Sequence, residues 1–461
     1  MRFKSIRAIV TLSWPILVAQ LAVLANGVAD TVMTGHYNAA HLAGIGIGAG
    51  MYATVFFTLL GVLQGLSPLM ARYYGAGNNP AIGKLVRQGV WVALGLSVIG
   101  VVLLSFPRPI LEMAQVPTEV LPVAEGYLRV ISWGLPGLML ARVFYIFSPS
   151  VHKPRAVMLI NLCTLFIKIP VSYVLLRGRF GLPELGGIGC AVGSMVMFWS
   201  MFLLSFGLLF IEPYYRQFTI WHGSWKPEWR ILKEILHLGL PIAVSQLVEI
   251  TSFTFIALFL AKLGPHVSAA HQIIANLAIL LFMVPLSLGI GTQVLVSQAL
   301  GAGDPRRARA NAFAGMQVSV CIGIVTTSII AILNIRLLKL YTDDPAVLAI
   351  ALRLLPLLVF YHLCDSVQGV AVNALRAYRE VLVPTLIYVA SLWGIGLAGG
   401  WWLTFKGLSI DAFNIAAPAL GPFGMWLAAG LSLAAAAIAL MVYLLRISHR
   451  YTIDYGVLEQ K

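Results

Sequence analysis

Charged side chains are scarce in this chain, and acidic ones are scarcest. Only 10% of the 461 residues are charged, with 17 Asp and Glu against 31 Lys and Arg. An average soluble domain carries about 25% charged residues, so a water-facing globule is excluded. With 59% hydrophobic residues and a mean hydropathy of +0.89, the solvent for this chain is the bilayer. The four cysteines, Cys163, Cys190, Cys321 and Cys364, sit in or beside apolar stretches without metal-ligand spacing. That pattern suits packing residues and points to no disulfide framework. A Walker loop, a metal-ligand cluster and a nucleophile with a convincing base are all missing, so neither ATP bound to this chain, nor a cofactor, nor enzyme chemistry is expected. The glycine run Gly44 to Gly50 fits a dinucleotide loop only with Ala49 in the last glycine's place, and no strand precedes it. Close helix packing explains it better.

What the chain has in abundance is long apolar runs. A spanning helix needs about 20 apolar residues, and twelve candidates are centred near residues 20, 57, 96, 133, 166, 199, 247, 284, 321, 359, 393 and 434. Runs of this length interrupted by Pro and Gly predict helices packed on helices, where a barrel would need short alternating strands. The halves also repeat. Leu12-Ser13-Trp14-Pro15-Ile16-Leu17-Val18-Ala19-Gln20-Leu21 returns as Leu238-Gly239-Leu240-Pro241-Ile242-Ala243-Val244-Ser245-Gln246-Leu247, and Gly75-Ala76-Gly77 returns at the same separation as Gly301-Ala302-Gly303. Six crossings bring the chain back to its starting side, so the repeat is parallel, about an axis along the membrane normal. The expectation is an all-α integral membrane protein of twelve transmembrane helices in two six-helix bundles: a lobe over residues 1–211, a linker over 212–231 and a lobe over 232–461. The basic start Met1 to Arg7 resembles a signal peptide, but the apolar run after it is too long and its duplicate lies mid-chain, so a retained first helix is expected. No low-complexity segment or appended soluble domain is expected. Pro15, Pro136, Pro170, Pro241 and Pro285 are candidate bending points, because Pro removes a helix hydrogen bond.

Lys and Arg concentrate in the loops that share a side with the N-terminus, among them Arg72, Lys84, Arg87, Lys153, Arg155, Arg216, Lys226, Arg230, Arg306, Arg307, Arg376 and Arg446. By the positive-inside rule both termini are expected to be cytoplasmic. Arg129, Arg142, Lys168 and Arg353 fall within spans. The net charge of +14 is then a property of loops facing anionic lipid, and nucleic acid is not an expected partner.

Three acids lie well inside spans: Asp30 in the first, Glu249 in the seventh and Asp365 in the tenth. A carboxylate at mid-membrane costs about 2.5 to 3.5 kcal/mol on insertion scales, so each needs a partner or a function. Ser245, Glu249 and Ser252 fall at i, i+4 and i+7 with Gln246 beside them, and Tyr361, Asp365 and Gln368 repeat that spacing. Such polar stripes line a cavity or a helix interface. The eighth span adds His271, Gln272 and Asn276, while His271 and His362 serve packing and function equally well on sequence grounds. Glu125 and Arg129 are spaced for a helical ion pair. Two carboxylates in one low-dielectric pocket favour binding of a proton or a monovalent cation such as Na⁺, and a cationic organic substrate competes for the same charge. Because such linkage is reciprocal, the arrangement suits antiport.

These residues carry a resemblance. Val28-Ala29-Asp30-Thr31-Val32-Met33-Thr34-Gly35 and Leu185-Gly186-Gly187-Ile188-Gly189-Cys190, with Glu249 and Asp365 in their helices, resemble the multidrug and toxic compound extrusion (MATE) family in its NorM-like bacterial branch, over essentially the whole chain. The resemblance implies two lobes around a cavity and export of cationic, often aromatic drugs or dyes in exchange for Na⁺ or H⁺. It implies Glu249, Asp365 and Asp30 for the coupling cation, with any bound Na⁺ at Glu249 and Asp365 and no other metal. Asp30, Gln246, Gln272, Phe282 and Tyr361 are the expected substrate contacts, although Phe282 stands where some relatives have Tyr. It further implies a multi-pass protein of the bacterial cytoplasmic (inner) membrane; a monomer is expected, although no residue of the sequence speaks to the oligomeric state. Lys168 departs from the pattern, because relatives usually carry an uncharged Asn there; Ser172 stands where some carry Asp. Two readings of Lys168 stay open: a buried ion pair with Asp30, or a side chain that snorkels to the interface. The competing functions are a lipid or lipid-linked sugar flippase of a related fold, favoured by a cavity rich in basic residues, and a non-transporting scaffold or receptor, disfavoured by the paired acids.

Overall fold

A computed structural model describes residues 2–113, 116–410 and 415–458. The helices are α1 (Arg2–Gly35), α2 (Ala39–Gln64), α3 (Leu66–Gly75), α4 (Asn79–Ser105), α5 (Arg108–Met113), α6 (Leu121–Ser132), α7 (Leu135–Ser150), α8 (Pro154–Arg177) and α9 (Gly187–Ile211) in the first half. The second half holds α10 (Trp229–Ala261), α11 (Pro265–Gly301), α12 (Pro305–Leu338), α13 (Pro345–Ala377), α14 (Leu382–Tyr388), α15 (Gly400–Phe405) and α16 (Pro422–Leu458). Among the described residues eleven helices or helix runs are long and apolar enough to cross a membrane, and a twelfth crossing is the pair α6 and α7, bent by 51°. The bend falls at Trp133 and Gly134, just ahead of Pro136 in the first turn of α7. Pro15, Pro170, Pro241 and Pro285, by contrast, lie inside unbroken helices.

Helix starts follow local chemistry. Asn38, Asn78, Asp304 and Asp344 cap α2, α4, α12 and α13 through side-chain oxygens that accept backbone N–H groups, and Pro occupies the first turn of α4, α6, α7, α8, α11, α12 and α13 among others, where its missing N–H costs nothing. Two features were not legible in the sequence. A π-helical segment, Val389–Gly399, joins α14 to α15, and two three-residue strands, β1 (Leu408–Ile410) and β2 (Ile415–Ala417), pair antiparallel between α15 and α16. The strands lie outside the apolar crossings, so the membrane part is all-α.

The repeat is visible in the backbone. Gly77 and Gly303 both take left-handed φ values, +69° and +75°, and each is followed by a capping residue, Asn78 or Asp304, and a new helix. Glycine is the residue that adopts this conformation without strain. Contacts divide the chain into one compact unit of Trp14–Ala243 and another of Met1–Ser13 with Val244–Lys461. In the first unit the opening stretch of α10 packs on α2 and α3, with Gly65 meeting the backbone of Ile235 and Gly239. In the second the opening stretch of α1 packs on α11, with Gly291 meeting Ile9 and Ser13. These are corresponding residues of the two copies, so one contact is built twice. The Gly44 run also packs closely, with Gly44 against Val123 and Gly48 against Tyr127 of α6.

The linker is held fast. Residues Pro213–Phe218 form a 3-10 turn, after which Arg87 of α4 donates to the carbonyls of Thr219, Ile220 and His222 at 2.9, 3.0 and 2.7 Å. Gln88 binds the backbone of Lys226 and Glu228, and Lys84 pairs with the Glu228 carboxylate at 2.7 Å. Arg87, counted on sequence as a loop charge, is thus a buried helical clamp.

A Cβ on Gly239 would fall 2.1 Å from the Val62 carbonyl oxygen, which backbone cannot concede. Gly239→Ala should therefore destabilise by about 1 to 3 kcal/mol, as overpacking does. Gly95 faces open space, so Gly95→Ala should be neutral or gain up to about 1 kcal/mol in helix propensity. Thermal unfolding of the two variants in detergent checks this; equal melting temperatures would contradict the tight crossing.

Candidate functional site

In the unit containing Val244–Lys461, α13 packs on α11, α12 and α16. Its i, i+4, i+7 stripe Tyr361, Asp365 and Gln368 turns to one side, where α10 contributes Glu249 and Phe253 and α11 contributes Phe282. Together they line a cavity, with Ala278, Ile279, Leu392 and Leu433 completing an apolar wall. Asp365 is 5% exposed, and Tyr361 is held edge-on by Phe253 and Trp426, with ring centroids 6.2 and 5.8 Å away. Gln368 donates its amide to the Tyr388 hydroxyl, which leaves Gln368 Oε1 buried without a hydrogen-bond partner. The cavity therefore offers two carboxylates and an unused carbonyl oxygen. That donor set fits a proton or a hard monovalent cation, which prefers oxygen ligands.

Arg376 adds a charge that sequence reading misplaced. Counted there as a loop residue, it lies in the last turn of α13, 7% exposed, within electrostatic reach of Glu249. It also donates to Asn373 Oδ1 at 3.4 Å. Tyr388, Phe253 and Arg376 carried no signal, because each reads as ordinary apolar filling or an ordinary cytoplasmic charge. Four expected residues, Glu249, Asp365, Phe282 and Tyr361, are gathered in the cavity. Gln246 and Gln272 are not among its lining; Gln272 is on an exposed part of α11. His271 is buried against Trp426, and His362 shares a hydrogen bond with Thr326 Oγ1 at 3.1 Å. Among the described residues no three His, Cys, Asp or Glu side chains group as metal ligands.

Asp30 belongs to the other unit, where α1 and α8 run side by side. Asn161 Nδ2 donates to the Ala19 carbonyl at 3.0 Å, and seven residues further along both helices Lys168 Nζ donates to the Asn26 carbonyl at 3.2 Å. The same ammonium sits 2.7 Å from Asp30 Oδ2, with side-chain exposures of 3% and 9%. Lys168 therefore makes the buried pair and does not snorkel away. Asp30 Oδ1 is left without a hydrogen-bond partner. Ser172 is fully buried on the same helix, against Gly193. Glu125 and Arg129 form the expected helical pair at 2.5 Å. Arg142, a span residue with no role assigned on sequence, lies over the rings of Phe56 and Tyr145 at 5.2 and 5.3 Å. Its Nε is buried without a partner. Cation–π contact returns about 0.5 to 2 kcal/mol, less than the roughly 2.5 to 3.5 kcal/mol that a basic residue costs at mid-membrane.

Comparison with known proteins agrees with this architecture. The MatE family model matches residues 15–174 and again 241–402, so its two copies begin at the paired prolines Pro15 and Pro241. The chain is 39% identical over 393 residues to a probable multidrug resistance protein NorM of Aromatoleum aromaticum, covering 85% of each chain. It is 32% identical over 439 residues to a protein of the same name from Neisseria meningitidis serogroup B, covering 95% of this chain and 93% of that one. The fold matches the Vibrio cholerae MATE transporter VcmN in its bent form with a TM-score of 0.82 at 17% identity, over 98% of this chain and 99% of that one. On a family match across both repeats and on relatives aligned through most of their length, this chain belongs to the MatE family of membrane transporters.

Proposed function

We propose that this chain is a secondary-active multidrug efflux antiporter that exports cationic, often aromatic compounds in exchange for Na⁺ or H⁺. The observation that carries the reading is the single cavity in which Glu249 and Asp365 meet Gln368 Oε1 and the aromatic faces of Phe253, Phe282 and Tyr361. Buried carboxylates that repel one another take up a proton or Na⁺ readily. An aromatic cation is attracted by the same charges and by the ring faces. Ion and drug then exclude one another, and by linkage each lowers the other's affinity by the same factor. The names of the relatives, multidrug resistance proteins, support the substrate breadth.

Asp30 is set aside from coupling in this reading. A proton or Na⁺ arriving there must displace an ammonium at 2.7 Å that is tethered to the same unit, so the coupling step falls to Glu249 and Asp365. The bacterial NorM relatives support a bacterial cytoplasmic membrane protein, and the Lys and Arg distribution supports both termini inside. Because the cavity is built within one unit of one chain, a monomer suffices.

Dye movement in proteoliposomes under an imposed Na⁺ or pH gradient tests the proposal. A fluorescent cationic dye should move under one gradient, which names the ion, and both Glu249→Gln and Asp365→Asn should abolish that movement. A folded protein that moves no dye under either gradient would favour the flippase. The ion pair has its own test. Lys168→Ala should destabilise by about 3 to 5 kcal/mol, because it strands a buried carboxylate, and Lys168→Ala combined with Asp30→Asn should recover much of that loss. Thermal unfolding of both variants reads the difference, and equal damage in the two would argue that the pair contributes nothing.

A further inference from the structure

The polar stripe of α13 does not stop at Gln368. Eleven residues make three helical turns to within about 20°, so Arg376 stands on the face that carries Asp365, about 16 Å further along the axis. Side chains on a helix lean toward its N-terminus, and that of Arg376 does so here. Its guanidinium donates to Asn373 Oδ1 at 3.4 Å, and Asn373 donates in turn to the Gly369 carbonyl at 2.7 Å. The charge of this buried side chain is thereby carried back toward the cavity, away from the helix end.

Neighbouring elements bring Glu249 to the same end of the stripe. Ser245 Oγ and Thr385 Oγ1 share a hydrogen bond at 2.8 Å, and further along both segments Trp393 Nε1 donates to Thr251 Oγ1 at 3.3 Å. α10 and α14 with its π-helical continuation therefore run side by side in the same direction. One turn beyond the first contact stand Glu249 on α10 and Tyr388 on α14. The Tyr388 hydroxyl accepts the Gln368 amide and lies within electrostatic reach of Glu249, Arg376 and Asp365 together. α11, the π-helical segment and α16 turn only uncharged side chains to the cavity, Phe282, Leu392 and Leu433 among them, while α13 adds Tyr361. Among the described residues, the positive charge that acts on Glu249 is that of Arg376.

A fixed positive charge here does two things to a site for a mobile one. It repels a cation held by Glu249 and Asp365, and it steadies the carboxylates once that cation has gone. Over a separation on the order of 10 Å at an effective dielectric constant of about 20, the effect is about tenfold in affinity. Transport needs binding weak enough to end, and two carboxylates alone in an apolar pocket hold a cation too well to release it. We propose that Arg376 is the release residue of the coupling site: its tethered charge weakens the hold of Glu249 and Asp365 on the coupling cation, so that the ion leaves when the site opens to the cytoplasm. The inference rests on the antiport reading and deepens it, assigning the step that ends each cycle to a side chain outside the cavity. Arg376 is a positioning residue, acting through the two acids without touching ion or drug.

Displacement of a bound dye tests it on the purified full chain with no gradient imposed. Rhodamine 6G on the protein is titrated with Na⁺ at fixed pH and, separately, with acid at fixed Na⁺, and the half-displacing concentration is corrected for the dye's own affinity. Arg376→Gln, which removes the charge and keeps an amide for Asn373, should lower the half-displacing concentration of the acting ion about tenfold. Arg376→Met, uncharged and of similar length, should shift it equally, so one folded variant of the two suffices. Arg376→Lys, which keeps the charge, should stay within about threefold of wild type. In proteoliposomes the uncharged variants should move dye more slowly although they hold the ion more tightly, a combination that a loosened structure does not give. Unchanged or weaker ion binding in the uncharged variants, or an equal shift in Arg376→Lys, overturns the inference and leaves antiport standing. Wild-type protein whose dye is displaced by neither ion overturns the inference and the antiport reading together.

Discussion

The rest of the structure depends on a close helix crossing made twice. Gly65 lets Ile235 and Gly239 approach at backbone distance, and Gly291 does the same for Ile9 and Ser13. In lipid there is no hydrophobic drive to bring helices together, so packing at small residues must supply the association. Each crossing ties the opening stretch of one repeat to helices of the other, which is why the compact units begin at Trp14 and Val244 and not at the ends of the repeats. Pro15 and Pro241 come directly after these stretches, at the same place in both copies.

On that shared frame the two units have diverged in charge. One holds Glu249 and Asp365 in a cavity with a spare carbonyl oxygen and three aromatic rings, and carries Arg376 within electrostatic reach of Glu249. The other neutralises its single deep acid with Lys168 and leaves Arg142 over. A duplicated scaffold permits this, because the helix packing rests on glycines and apolar side chains while the inward polar positions change without disturbing it.

The spans, their number and their pairing by repeat were legible in the chain, because a crossing of apolar lipid imposes a length and a composition that no neighbour can override. The stripe of Tyr361, Asp365 and Gln368 was legible for a similar local reason: positions i, i+4 and i+7 share a helix face wherever the helix goes. The break at Gly134 was half legible through Pro136. The π-helical turn at Val389–Gly399 and the strand pair after α15 gave no warning. Arg87 and Arg376 were misplaced because a basic residue near a helix end reads the same whether it faces water, a linker carbonyl or a buried carboxylate.

By itself, then, the sequence determined the solvent, the helical class, the duplication and the few polar side chains that had to be explained, since each follows from composition and local periodicity. Tertiary structure alone decided who answers whom. Whether Lys168 reached Asp30 or the interface depended on α1 and α8 running in register, with Ala19 to Asn161 and Asn26 to Lys168 as successive contacts. Whether Glu249 and Asp365 shared a cavity depended on the packing of α10 and α13, and whether Arg142 met a carboxylate or two rings depended on what the neighbouring helices brought to it. Charge pairing is a property of distances between segments far apart in the chain, and only the fold sets those distances.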